Sequence, residues 1–150
     1  MKLKIPPALQ VAVFALLMWA VKKVTTTTHF TFEAQNLMSK LIFGIGVLII
    51  LVAVYSFKKS KTTVDPTAPE KASNLVIVGI YKISRNPMYL GMLLMLIAFA
   101  LRLGSIYNIP FVILYVWYIT KFQIKPEEKA LAKLFGPTYL NYCNTVRRWI

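Results

Sequence analysis

Apolar residues in this chain fall in long unbroken blocks rather than at the period of a half-buried strand or an amphipathic helix. Four uncharged blocks stand out, at 5–21, 41–57, 87–101 and 103–120. A helix that is apolar on every side belongs in a large core or a membrane, and a chain this short cannot bury four of them. At about 1.5 Å per residue each block spans roughly 22–27 Å, slightly short of a ~30 Å hydrocarbon core. Lys22, Lys23, Lys58, Lys59 and Lys121 can snorkel across the deficit, while Trp19, Tyr55, Tyr107, Trp117 and Tyr118 suit the interface. The pattern predicts an all-α, polytopic helical membrane protein with about four transmembrane helices, in a single domain over 1–150.

The segments between the blocks refine this picture. A polar loop over 25–39 joins the first two. Gly44 and Gly46 predict close helix packing in the second block. A nucleotide-binding Gly-x-Gly would need a preceding strand and a third glycine opening a helix, and here Val47, Leu48 and Ile49 follow. The stretch 58–85 is the longest polar one, and a loop of about 28 residues in so small a chain is functional or disordered. Its turn formers, Asp65-Pro66 and Ala68-Pro69, and its apolar end at 75–78 predict an ordered loop packed back on the bundle. Blocks three and four make a hairpin turning at Leu103-Gly104-Ser105, with Pro110 bending the start of the fourth. Met88, Met92 and Met95 read as adaptable packing.

Beyond the fourth block, Lys125-Pro126-Glu127-Glu128 offers proline for a first helical position and two carboxylates for a first turn. Gly136-Pro137 supplies the stop. A short C-terminal amphipathic helix follows, its face marked by Leu131, Leu134 and Phe135, lying on the membrane surface or capping the bundle. The aromatic and basic end, 139–150, returns to the headgroup region.

Composition agrees with a membrane protein: 57% of residues are hydrophobic and only 15% charged, too apolar for an ordinary soluble domain. The first block lacks a following small-residue cleavage site and is expected to be retained. The net charge of +13 changes the picture by its placement. The cations sit between apolar blocks and form no basic face with interleaved aromatics, so anionic lipid headgroups fit them and nucleic acid does not. With the N-terminus inside, Lys2, Lys4, Lys58, Lys59, Lys61, Lys71, Lys82, Arg85, Lys121, Lys125, Lys129, Lys133, Arg147 and Arg148 fall on the cytoplasmic side. That leaves only Lys22, Lys23, Lys40 and Arg102 outside, and this bias predicts that both termini are cytoplasmic. Cys143 is the sole cysteine and His29 the sole histidine, so neither a disulfide nor a metal site is expected. His29 reads as a solvated loop residue.

Candidate chemistry concentrates in 79–91, Gly-Ile-Tyr-Lys-Ile-Ser-Arg-Asn-Pro-Met-Tyr-Leu-Gly. Polar groups where a chain enters a bilayer are costly unless water, protein or ligand satisfies them, so this stretch reads as a site facing a cavity at the membrane surface. Glu127 and Glu128 are two of only five acidic residues. They read either as complements to a helix dipole or as carboxylates facing the same cavity as Arg85 and Tyr89. The residues alone leave both readings open.

Tyr81, Arg85-Asn86-Pro87-Met88-Tyr89-Leu90-Gly91, an apolar hairpin, Glu127-Glu128, Leu131, Phe135-Gly136, Tyr139 and Tyr142 follow in an order that resembles the isoprenylcysteine carboxyl methyltransferase and phospholipid methyltransferase family of integral membrane enzymes. The resemblance covers about 62–150, and its short chain and Asn86 look like the bacterial members, which implies a bacterial inner membrane. It implies an S-adenosylmethionine-dependent methyltransferase acting on an apolar, lipid-like or membrane-dissolved acceptor. By position it implies cofactor contacts from Ser73, Asn74, Leu75, Val76, Tyr81, Asn86, Pro87, Met88, Tyr89 and Glu127, with Arg85 and Glu128 as candidates for the chemistry. Two departures matter. Family members often have histidine where Asn86 stands, and an amide carries no proton. Gln123 stands at the substrate-binding position where the prenylcysteine enzymes place arginine, which argues against a free prenylcysteine carboxylate. NADPH-dependent membrane reductases share a similar C-terminal architecture and are the first rival. A small transporter or assembly factor is the second, disfavoured by the lack of charge inside the blocks.

Overall fold

The structure is a computed structural model that describes residues 5–25, 30–60 and 74–150. Ser73, His29 and the turn formers Asp65-Pro66 and Ala68-Pro69 lie outside the described residues. So do Lys2, Lys4, Lys61 and Lys71. Every described element is helical: α1 (Pro7–Val24), α2 (Gln35–Lys59), α3 (Pro87–Leu103), α4 (Ile109–Ile119), α5 (Lys125–Phe135) and α6 (Pro137–Thr145). Single 3₁₀ turns precede α3 at Gly79–Lys82 and α4 at Ile106–Asn108.

Two helices, α1 with 18 residues and α2 with 25, are long and apolar enough to cross a membrane. At 1.5 Å per residue they reach about 27 and 38 Å. Helix α3 is as apolar but slightly shorter, with 17 residues. Leu41, Leu48, Leu51 and Tyr55 of α2 all lie more than half exposed. An unpartnered stripe of that size suits lipid as its solvent.

Local sequence explains where the helices begin and end. Pro7, Pro87 and Pro110 each sit in a first turn, where a missing N–H costs nothing. Helix α3 stops at Gly104, which adopts the left-handed conformation at φ 63°. A side chain there would meet the Phe30 carbonyl oxygen at 2.5 Å, where the loop before α2 folds over the hairpin.

Helices α2 and α3 cross at two glycines. A Cβ on Gly46 would lie 2.7 Å from the Gly91 carbonyl oxygen, and a Cβ on Gly91 would lie 2.6 Å from that of Gly46. Gly46 therefore makes the close approach expected of the second block, whereas Gly44 has open space beside it. On the other side of α3 lies the main core. Phe14 and Met18 of α1 meet Tyr89, Leu96 and Leu103 of α3, Tyr115 and Ile119 of α4, and Ile124. Met92 packs on this core, Met88 on a smaller cluster, and the Met95 side chain lies against Gly46, so all three methionines fill gaps between helices.

The region after α4 departs from the expected break. Thr120–Ile124 forms a π-helical turn that joins α4 to α5 without interruption, closed by a Lys125 N–H to Thr120 carbonyl bond. Pro126 thus lies inside a continuous helix. Its missing N–H and bulky ring explain why the helix widens just before it. The carboxylates Glu127 and Glu128 consequently follow a helical segment rather than opening a free N-terminus, and the dipole account of them loses its footing. The turn at Gly136 falls where the sequence places a stop. Pro137 then starts α6, a helix the aromatic and basic composition of 139–150 did not reveal.

Candidate active site

The segment 79–91 is held from three sides. Val76 and Tyr81 bury against Ala53 of α2, with Phe57, Ile80 and Met88 packed around them. The Asn74 amide donates to the Ser60 carbonyl at 3.0 Å, tying the loop to the end of α2, and Leu75 lies half-buried between. The Tyr142 hydroxyl of α6 donates to the Tyr81 carbonyl at 2.6 Å. Behind α6 the chain folds back along the loop: the Arg85 N–H donates to the Arg147 carbonyl at 3.1 Å, and the Asn86 amide to the Arg148 carbonyl at 2.9 Å.

Asn86 caps α3 without a side-chain bond to the helix, since its amide serves the tail and its backbone N–H donates to the Ser84 hydroxyl oxygen at 3.1 Å. Pro87 is fully buried at the first helical position. Tyr89, two residues on, faces α5. Its hydroxyl donates to Glu127 Oε2 at 2.8 Å. Glu128, the next residue, is bound on both oxygens. Arg85 Nη2 lies 3.0 Å from Oε1, and Arg148 grips the carboxylate through Nε at 3.0 Å and Nη2 at 2.8 Å. Such forked, charge-assisted pairing is the strong form of the interaction. The π turn makes this division possible, because it sets the phase at which two consecutive carboxylates leave the α4–α5 helix.

The electrostatic consequence is an asymmetry between the two glutamates. Both arginines are committed to Glu128, and among the described residues Glu127 has Tyr89 as its hydrogen-bond partner but no cation. Burial, and then the neighbouring charge of Glu128, push the Glu127 carboxyl up to about 7, against the pull of the Tyr89 hydrogen bond. Burial, with the Glu127 charge second, holds the Tyr81 phenol well above its ordinary range.

Arg85, Asn86, Tyr89, Gln123, Glu127 and Glu128 are thus drawn together, although 38 residues separate Tyr89 from Glu127. Gln123 is buried at 2% exposure, with its carbonyl oxygen 3.3 Å from the Gln10 amide of α1 and its side chain against the Tyr89 hydroxyl. Val76, Tyr81 and Met88 form the adjoining apolar wall, and Asn74 sits at its edge. Three residues to which sequence reasoning gave no part in the site complete the arrangement: Arg148, counted only among the cytoplasmic cations, Tyr142, named only in the family pattern, and Gln10. A signal for Arg148 existed, since two adjacent glutamates beside a single arginine in an acid-poor chain call for a second cation. Gln10, a lone polar residue in an apolar block, was visible too.

Comparison with known proteins fixes the family. The family model described as phospholipid methyltransferase matches residues 34–138, from the start of α2 through α5. The chain belongs to this family of membrane methyltransferases. It is 29% identical over 120 residues to the protein-S-isoprenylcysteine O-methyltransferase of Saccharomyces cerevisiae, a match covering 75% of this chain and 50% of the yeast protein. It is also 43% identical over 63 residues to an uncharacterized protein of Haemophilus influenzae, covering 42% of this chain and all of that one. The chain spans about half the length of the yeast enzyme it matches. No solved structure matches. The family match starts well before residue 62, taking in α2, and stops before the Arg147-Arg148 tail.

Proposed function

We propose that this protein transfers a methyl group from S-adenosylmethionine to a lipid-like acceptor dissolved in the membrane. The observation that carries this reading is the partly buried Glu127, which has no cationic partner among the described residues while both nearby arginines are bound to Glu128. A carboxylate in that state suits a ligand bearing positive charge, and S-adenosylmethionine brings an ammonium and a sulfonium. NADPH would bring phosphate charge to a site whose arginines are already paired, so the reductase reading fits the same residues poorly.

When bound, the cofactor would supply an electrophilic methyl group for the acceptor atom. This chain's residues contribute position. Glu127, oriented by Tyr89, holds the cofactor's amine or ribose hydroxyls. Asn74, Leu75, Val76, Tyr81, Asn86, Pro87 and Met88 form its walls. Arg85 and Glu128 act by fixing the tail against the loop, since their charges are mutually occupied. Gln123 faces the acceptor side, and its lack of charge excludes a prenylcysteine carboxylate as the preferred acceptor. Holding two reactants in line supplies much of the rate of such a transfer.

Calorimetric titration of the detergent-purified chain checks this. Binding of S-adenosylhomocysteine with no heat from NADPH is expected, and the reverse result would overturn it. The same reading has four crossings with both termini cytoplasmic, from the 14-to-4 division of the 18 basic residues. Reporter fusions after Lys61 and after Ile150 should both signal cytoplasm, and a periplasmic signal from either removes the four-span topology.

A further inference from the structure

A groove of about 630 Å³ runs between α3 and α4. Leu93 and Ile97 form one wall, Val112 and Val116 the other, and Ile113 and Trp117, both more than half exposed, open it to the outer surface of the bundle. One end is different. Lys121 and Lys125, one helical turn apart on the α4–α5 helix, stand at the rim. Among the described residues neither ammonium makes an ion pair. Lys121 is held over the Trp117 ring with its nitrogen 4.8 Å from the centroid, which keeps that charge at the groove rather than free to swing away. Just beneath, the Thr120 hydroxyl oxygen is buried in the wall without a hydrogen-bond partner.

We infer that this groove binds a membrane lipid with an anionic headgroup, one acyl chain lying along Val112–Trp117 and its phosphate against Lys121 and Lys125. Dimensions and charge choose the occupant. Thirteen residues of helix separate Val112 from Lys125, about 20 Å, which matches one leaflet's half of a ~30 Å hydrocarbon core plus its headgroup layer. The volume lies within the few hundred to a thousand cubic ångströms of ordinary ligand sites. A free phosphate would leave the apolar walls empty. A second copy of this strongly basic chain would bring more positive charge to a rim that already has two unpaired lysines. A zwitterionic lipid fits the walls but gains less at the rim. Leu93 and Ile97 follow Tyr89 at four-residue steps on α3, so the bound lipid lies beside the Tyr89–Glu127 pair. Lipid capture by this groove is nonetheless separate from methyl transfer and is read by binding alone.

The test uses Trp117 as its own reporter. A full-length variant with Trp19→Phe and Trp149→Phe is reconstituted in phosphatidylcholine vesicles doped with brominated phosphatidylglycerol or, separately, brominated phosphatidylcholine. Stronger quenching by the anionic lipid is expected, at about fivefold tighter binding for each lysine engaged. Lys121→Gln with Lys125→Gln should erase the preference, and Val116→Phe, which fills the groove, should weaken quenching by both lipids. Native mass spectrometry of the wild-type chain, which needs no tryptophan substitutions, should retain one phosphatidylglycerol and lose it in the double lysine variant. Equal quenching by the two lipids, or an anionic preference that survives Val116→Phe undiminished, overturns the site. Retention of a second protein copy instead of lipid overturns it as well.

Discussion

Gly91→Ala is expected to lower the melting temperature of the detergent-solubilised protein, while Gly44→Ala, on the neighbouring helix, raises it. The contrast follows from one crossing. At Gly91 the added carbon would lie 2.6 Å from both the Gly46 carbonyl oxygen and an Ile50 side-chain carbon. Backbone cannot rotate out of the way as a flexible side chain could, so α2 and α3 must separate. Overpacking of this kind costs about 1–3 kcal/mol and occasionally more, and contact with backbone argues for the upper end. At roughly 2–4 °C per kcal/mol for a chain of this size, a loss of about 6 °C or more is expected. Gly44 has nothing within 4 Å of a new Cβ. There only helix propensity operates, favouring alanine by up to about 1 kcal/mol. Two glycines in one Gly-x-Gly thus separate into a contact and a lipid-facing position. A fluorescence melt of the two variants checks it, and equal melting temperatures would mean that α2 and α3 do not meet at Gly91.

That crossing also marks how far the sequence could be read. Block patterning located four of the helices because apolar length is a one-dimensional property, readable without knowing any partner. Proline and glycine located helix starts and stops at Pro87, Gly104 and Gly136, for the same local reason. What could not be read was phase. Pro126 looks like the start of a helix, and in isolation it would be. Only the π turn, which keeps α4 and α5 continuous, determines where Glu127 and Glu128 point. The two carboxylates were legible as chemistry, and the family resemblance gave them different roles, but the residues alone held no physical reason for the difference. Their difference comes from Arg148, which reaches Glu128 from a tail that sequence alone left on the membrane surface. Helix α6 was likewise invisible, since Pro137–Thr145 is neither strongly apolar nor clearly periodic, and it is held by the long-range Tyr142 bond to the Tyr81 carbonyl.

Binding of S-adenosylhomocysteine is expected to tighten as pH rises from 6 to 8, and Glu127→Gln should both weaken it and flatten that dependence. In the free protein the Glu127 carboxyl is pushed up to about 7, from an ordinary 4.5, chiefly by burial. At pH 6 most of the population is therefore protonated and has no charge for the ligand's ammonium. About tenfold in affinity per pH unit is available below 7, and little above it. A lost charge-assisted hydrogen bond is worth roughly 1.5–3 kcal/mol, so Glu127→Gln should cost about tenfold to a hundredfold at pH 8 and much less at pH 6. The ligand-free protein should show the opposite trend in stability. Between 4.5 and 7 the unfolded chain gives up this proton while the fold retains it, so stability falls as pH rises through that window and stays lower above it. Glu127→Gln should remove that fall and leave the empty protein more stable than wild type at pH 8. Calorimetry and thermal melts at pH 6, 7 and 8 separate the two effects. A variant that binds normally at pH 8, or a wild type whose affinity ignores pH, would return Glu127 to a purely structural partnership with Tyr89.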